Sequence, residues 1–274
     1  MTAIVLVHGG FCGGWIWRPV ADRLRAAGHD VFAVTLTGLG ERVHLADPAI
    51  NLDVHARDVL NLLRFENLHD VLLVGHSYGG LILQLVGDRA PERIARRIFV
   101  DALVLEDGES ITSDDRGVPE AVALHRANAA ANGGLLPVPG STVAGAATDP
   151  VTARLTPHPF ACFEQPMILA GQGDAIASDY IACLDRPSSD DPIARFTTAS
   201  FALSRARAEA RGWDVVDDPA SHFGLLAEGA ERLADFILAR TRERLLRWGE
   251  PPHDRDLRRR LAEIGAALRR ELLE

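Results

Sequence analysis

The sequence contains no lysine; all of its basic side chains, histidine aside, are arginine. Chemistry that needs a lysine amine, as Schiff base, general base or phosphate-loop cation, is therefore excluded. Cysteine is scarce. Cys12, Cys162 and Cys183 are odd in number and lack metal-ligand spacing. Such a set suits a reducing compartment and predicts a cytoplasmic protein without metal or cofactor. No apolar run is long enough to span a membrane. No leader is expected before the first strand, because residues 4–7 already lead into the core. Internal repeats and low-complexity tracts are absent. A net charge of −9 argues against a nucleic-acid surface.

What is present is an ordinary globular composition. The chain has 274 residues, 47% hydrophobic and 24% charged, which suits one α/β domain with an inserted subdomain. The sequence is organised around residues 71–80. An apolar run, Val71 to Val74, ends in Gly75-His76-Ser77-Tyr78-Gly79, and a helical pattern begins at Leu81, Ile82 and Leu85. This spacing predicts a strand, a sharp turn and a helix, with Ser77 at the apex. Gly75 and Gly79 are required where strand and helix approach too closely for a Cβ. The backbone N–H of Tyr78 falls at a helix N-terminus, where negative charge is favoured.

Elsewhere strands and helices alternate. Residues 3–7 form a continuous β-branched run, hence a buried strand. A helix is predicted from Trp17 to Ala27, stopped by Gly28. A strand follows from Asp30 to Leu36, a helix from Asp53 to Phe65, and a strand over residues 98–100 that ends at Asp101. Such alternation predicts a mostly parallel, twisted sheet with right-handed crossovers and helices on its faces. Sites in such sheets lie at the strands' carboxyl ends, where His8, Ser77 and Asp101 fall. Residues 105–173 are less regular and rich in Pro and Gly, and are expected to form an inserted cap. The core would then comprise residues 1–104 and 174–248. Its last strands are expected over residues 180–184 and 213–216, followed by a helix from Glu228 to Leu246. Residues 249–274 are expected to add an amphipathic helix.

A serine hydroxyl becomes a useful nucleophile only with a base in reach, an acid to orient that base, and donors for the oxyanion. Ser77 is the candidate nucleophile. His222 is the candidate base, because it follows the last strand and lies downstream of the serine. His76 and His8 read as structural. The expected oxyanion donors are the N–H groups of Gly10 and Tyr78. Phe11, Leu103, Phe160, Phe163 and Met167 are candidate lining for an acyl pocket.

Several motifs carry a family resemblance. His8-Gly9-Gly10, Gly13-Gly14-Trp15, Gly38-Leu39-Gly40-Glu41-Arg42 and the serine motif resemble the methyl-ester esterase and hydroxynitrile lyase family of α/β-hydrolases. The likeness is strongest to its bacterial branch of carbamate- and ester-hydrolysing enzymes. It is dense over residues 3–108, thin across the cap, and returns from Tyr180 to Leu226; residues after about Arg240 go beyond it. It implies the α/β-hydrolase fold and leaves two acids open. The bacterial pattern points to Asp101, after the strand that follows the nucleophile. The plant pattern points near Asp185, with Asp190 and Asp191 close by. The lyases of this family need a threonine in the first loop and a lysine after the catalytic histidine. Those places hold Gly9 and Phe223, so cyanide release is not expected.

The function expected is hydrolysis of a carboxylic ester, thioester or carbamate through an acyl-enzyme. The alternatives are cyclisation or acyl transfer at the same serine, or an inactive binding protein. The expected partner is a small ester-like molecule, not nucleic acid or a membrane. In the tail, Leu257, Leu261, Ile264, Leu268 and Leu272 share one helical face. That stripe suggests a homodimer through the C-terminal helix.

Overall fold

The computed structural model describes residues 1–113, 116–139, 151–186 and 188–247, the side chains of 242–247 excepted. The chain divides into two compact units, Met1–Ala234 and Asp235–Glu274. The expected tail helix over 249–274, and the dimer built on it, lie outside the described residues.

The first unit is built on six strands, all parallel to their neighbours. These are β1 (Ala3–Val7), β2 (Asp30–Val34), β3 (Val71–His76), β4 (Ile94–Val100), β7 (Ser178–Asp185) and β8 (Asp214–Ser221). Their spatial order is β2-β1-β3-β4-β7-β8. Helices α1 (Arg18–Ala26), α2 (Leu52–Phe65) and α3 (Gly79–Arg89) connect the first four strands. Between β4 and β7 the chain forms α4 (Pro119–Ala131), the short antiparallel pair β5 (Leu135–Leu136) and β6 (His158–Pro159), and α5 (Ala161–Glu164). Helix α6 (Pro192–Ala210) joins β7 to β8, and α7 (Ala230–Arg247) closes the described chain. In the second unit the Arg240 guanidinium lies 4.7 Å over the Phe236 ring.

The central strands form because their side chains are buried on both faces. Ile4, Val5, Leu6 and Val7 are fully buried, as are Val71, Leu73 and Val74. A run without polar alternation is what such a strand requires. After β1 the chain turns outward to β2, then returns to the other side of β1 to make β3. The carboxyl ends of β1 and β3 therefore meet at a switch in strand order, where crevices open in sheets of this kind.

Three elements differ from the sequence reading. Strand β4 begins at Ile94, four residues before the apolar run, because charged residues continue it. Arg96 pairs with the buried Asp179 at 2.8 Å. Arg97 is buried, donates to Ser178 Oγ and Gly173 O, and lies over the Phe99 and Trp213 rings. Strand β8 runs to Ser221 through Asp217, Asp218 and Pro219. As the sheet's edge it tolerates acidic residues and a proline, and both discourage further pairing. Helix α6 was not anticipated. Its buried positions are Phe196, Ser200, Phe201, Ser204 and Ala208, so two serines sit where apolar residues are expected. Each serine satisfies its hydroxyl on the carbonyl one turn back, at 2.8 Å. Ser204 Oγ also accepts the Val104 N–H.

Candidate active site

Ser77 occupies the turn between β3 and α3, with φ at +55°. Few non-glycine residues adopt this left-handed conformation, and it is held here by backbone bonds. Ser77 N donates to Val100 O at 3.2 Å, and Ser77 O accepts from Gly80 N at 3.0 Å and Leu103 N at 2.9 Å. The turn depends on close backbone contacts. A Cβ on Gly79 would sit 2.7 Å from Val7 O, and one on Gly80 would sit 2.3 Å from Leu103 O. Gly9, at the end of β1, faces the turn, and a Cβ there would lie 2.9 Å from Ser77 Cβ.

Two donors flank the serine. Tyr78 is the N-cap of α3, so its N–H shares the positive end of that helix. Gly10 lies beside it, since a Cβ on Gly10 would be 3.8 Å from Tyr78 Cβ. Among the described residues neither N–H donates to another group.

Asp101 follows β4 in a left-handed conformation of its own, with φ at +42°. Its N–H donates to Ile181 O at 2.7 Å, which turns the carboxylate across the end of the sheet. The carboxylate is fully buried and has three donors. Oδ1 accepts from Cys183 N at 3.2 Å and from the Arg186 guanidinium. Oδ2 accepts from His222 Nδ1 at 2.6 Å. Burial acts to raise this carboxyl, but the His222 hydrogen bond and the positive charge of Arg186 outweigh it. The group is held below its usual range.

His222 lies just after β8. Because Nδ1–H is given to Asp101, Nε2 is left with a lone pair. Its ring sits between those of His76, Phe201 and Phe223, at 4.3, 4.7 and 5.1 Å. His76 Nε2 donates to His222 O at 3.0 Å, fixing the backbone as well as the ring. Asp185, the other acid considered, ends β7 and is exposed. Asp190 is exposed too, and Asp191 caps α6 by accepting the Ala194 N–H. The structure thus brings Asp101 to His222 and leaves the other three carboxylates elsewhere.

Arg186 was missed in the sequence. It follows β7, 85 residues from Asp101, and its guanidinium lies 4.7 Å over the Phe201 ring. Nothing local marks such a pairing. Among the candidate pocket residues, Phe11 and Leu103 are half-buried, while Phe160, Phe163 and Met167 belong to the core. The Phe11 and Phe163 rings lie 6.3 Å apart. Open clefts of 450 and 610 Å³ lie along β2, and neither borders Ser77.

His55, His158 and Cys162 cluster close enough to suggest a metal set, but hydrogen bonds already engage them. His55 donates Nε2–H to Thr37 O and accepts the Tyr78 hydroxyl at Nδ1. His158 Nδ1 accepts the Phe11 N–H. Burial pushes the Cys162 thiol up to about 12, which keeps it protonated. An ion bound at His55 Nδ1 would have to displace the Tyr78 hydroxyl.

Buried histidines also predict acid sensitivity. Burial lowers His8 and His55 to about 4, and pushes His76 and His158 well below their ordinary value. These rings are neutral when folded but titrate near 6.5 when unfolded. Falling pH therefore protonates the unfolded chain first. Stability should be intact above about pH 6.5 and should be lost progressively towards pH 4. Tm measured from pH 7.5 to pH 4.5 should drop steeply; a flat profile would contradict the buried neutral assignment.

A serine on a strained strand-to-helix turn, at the switch point of a parallel sheet, defines an α/β hydrolase. The chain belongs to the Alpha/beta hydrolase family, whose model matches residues 4–272. That match runs beyond residue 240, where the narrower resemblance was expected to stop. The chain is 35% identical over 251 residues to a carbendazim hydrolyzing esterase of Nocardioides sp. (strain SG-4G), covering 87% of this chain and 99% of that protein. It is 33% identical over 109 residues to polyneuridine aldehyde esterase of Rauvolfia serpentina, covering 39% of this chain and 41% of the plant enzyme. An extracellular alpha/beta-hydrolase from a Paenibacillus species superposes with a TM-score of 0.73 at 20% identity, over 87% of this chain and 98% of the other. The protein is thus an enzyme, a hydrolase of the esterase kind. No helix among the described residues is long and apolar enough to cross a membrane.

Proposed function

We propose that the chain hydrolyses small carboxylic esters, thioesters or carbamates through an acyl-enzyme on Ser77. The observation that carries this reading is the 2.6 Å hydrogen bond from His222 Nδ1 to the buried Asp101, beside the serine turn. It leaves His222 Nε2 as the only ring position able to take a proton.

Ser77 Oγ attacks the substrate carbonyl while His222 Nε2 takes the hydroxyl proton. Asp101 holds the ring in the right tautomer and stabilises the imidazolium that forms. The carbonyl oxygen, now negative, is received by the N–H groups of Gly10 and Tyr78. Collapse of the tetrahedral centre breaks the bond to the leaving group, which takes the proton from His222. Water then repeats the sequence on the acyl-enzyme, freeing the acid and restoring Ser77. The hydrogen bond from Nδ1 to Asp101 supports this reading, since it holds the ring with Nε2 as the free edge.

The Nocardioides relative is named as a carbendazim hydrolyzing esterase, which supports a hydrolytic reading. Residues 105–173 are assigned as the cap, with Phe11, Leu103 and Phe163 nearest the acyl group. Three free, buried cysteines suit a reducing, cytoplasmic setting. An activated aryl ester should give a burst of leaving group equal to the enzyme present. Absence of any burst and of steady turnover would remove the reading.

Lyase chemistry is not expected at this site. The position after His222 holds Phe223, whose ring packs on His76 and His222, so no cation is there to receive cyanide. Gly9 has no room for a threonine unless Ser77 moves. Mandelonitrile should release no cyanide above background; release that disappears in Ser77→Ala would overturn this.

A further inference from the structure

Phe11, the residue after Gly10, is bulky yet adopts a left-handed conformation, with φ at +65°. Such a residue needs external support. Both of its backbone polar groups are held by one distant segment. Phe11 N–H donates to His158 Nδ1 at 3.2 Å. Phe11 O accepts from Thr156 N at 2.8 Å and from Thr156 Oγ1 at 3.4 Å. Thr156 Oγ1 in turn accepts the Gly40 N–H at 3.0 Å. Thr156 and His158 are two residues apart in an extended stretch, so they share a side.

His158 is also the wall behind Gly10. A Cβ on Gly10 would lie 3.6 Å from His158 Nδ1 and 3.8 Å from Tyr78 Cβ. The imidazole is fully buried, edge-on to the rings of Phe11, His55, Tyr78 and Phe163. Accepting a backbone N–H requires a bare Nδ1, so the neutral ring carries its proton on Nε2. Among the described residues, buried Nε2 has no hydrogen-bond partner. Only the Nδ1 contact therefore uses the ring's polarity. On the opposite side, His8 Nδ1 donates to Gly9 O at 2.7 Å. The loop is thus gripped from the sheet by His8 and from the β4–β7 segment by Thr156 and His158.

We propose that His158, supported by Thr156, is a positioning residue for the oxyanion hole: its Nδ1 anchors the Phe11 N–H and so sets the aim of the neighbouring Gly10 N–H. The proposal rests on the serine-esterase reading above. It ties the segment over the site to the rate of the chemical step rather than to substrate affinity alone. A misaimed donor loses transition-state stabilisation while the ground state binds as before.

The test compares His158→Leu, which removes the acceptor, with His158→Asn, whose Oδ1 can replace Nδ1. With a p-nitrophenyl ester, His158→Leu should lower kcat about 10- to 100-fold, the range for a donor displaced by about an ångström, with KM within about two-fold. Affinity for a trifluoromethyl ketone, which forms the same oxyanion, should fall by the same factor as kcat/KM. His158→Asn should recover most of the loss. Amide exchange at Phe11 should accelerate in the leucine variant and stay slow in the asparagine variant. Should leucine prevent folding, His158→Phe keeps a ring and removes the same acceptor.

Parental kcat in a folded acceptor-free variant would overturn the proposal. So would equal impairment of the asparagine and leucine variants at unchanged Tm. If the parent protein itself gives no acyl-enzyme, the esterase reading fails instead. Exchange at Phe11 would then still report whether His158 anchors the loop.

Discussion

Ser77→Ala is expected to remove ester hydrolysis, lowering kcat on the order of 10⁶-fold, the effect of deleting the nucleophile in an enzyme of this mechanism. The fold should survive. The bonds that hold the turn run from Ser77 N to Val100 O and to Ser77 O from Gly80 N and Leu103 N. All of them are backbone bonds, and the substitution removes only one hydroxyl. Alanine can occupy the left-handed conformation at a cost similar to serine. Tm should therefore stay within a few degrees of the parent while turnover disappears. A fluorophosphonate should label the parent at Ser77 alone and should leave the alanine variant unlabelled. Near-parental turnover in that variant would refute the assignment of the nucleophile.

The sequence showed much of the sheet because β1 and β3 are apolar on both faces and meet glycines, Gly9 and Gly75, at their ends. Where burial was achieved by other means, the pattern was unreadable. Arg97 is buried because Ser178, Gly173 and two aromatic rings accommodate its guanidinium, and it concealed the first half of β4. Ser200 and Ser204 face the core because each finds a carbonyl within its own helix, and they concealed α6. In both cases hydropathy reports the side chain and not the partner that neutralises it.

The site was legible to the extent that it is local. The serine turn is contiguous in sequence, and its glycines carry the steric information. His222 could be proposed as the base from chain order alone. The acid could not, because Asp101 and Asp185 both end strands that are neighbours in the sheet. The choice depends on the backbone at Asp101, on its bond to Ile181 O, and on Arg186 reaching across from the next strand. The grip of His158 on Phe11 spans 147 residues, and no spacing rule reaches that far.

Asp101→Asn should cost on the order of 10⁴-fold in kcat, as the equivalent change does in a serine triad, while Asp185→Asn should cost little. The neighbours of Asp101 dictate how an asparagine would lie. Oδ1 faces two donors, Cys183 N–H and the Arg186 guanidinium, so the amide oxygen must take that place. The amide NH₂ is then left facing His222 Nδ1, where a donor stood before. The imidazole can satisfy it only by moving its proton to Nε2, and the lone pair that should deprotonate Ser77 is lost. Asp185 is exposed, so its amide replaces a carboxylate that faces solvent. Measuring kcat/KM for both variants beside Ser77→Ala sets the scale from intact to inactive. The opposite ranking would move the acid to the end of β7. It would also require His222 to leave the 2.6 Å contact with Asp101 before the reaction begins.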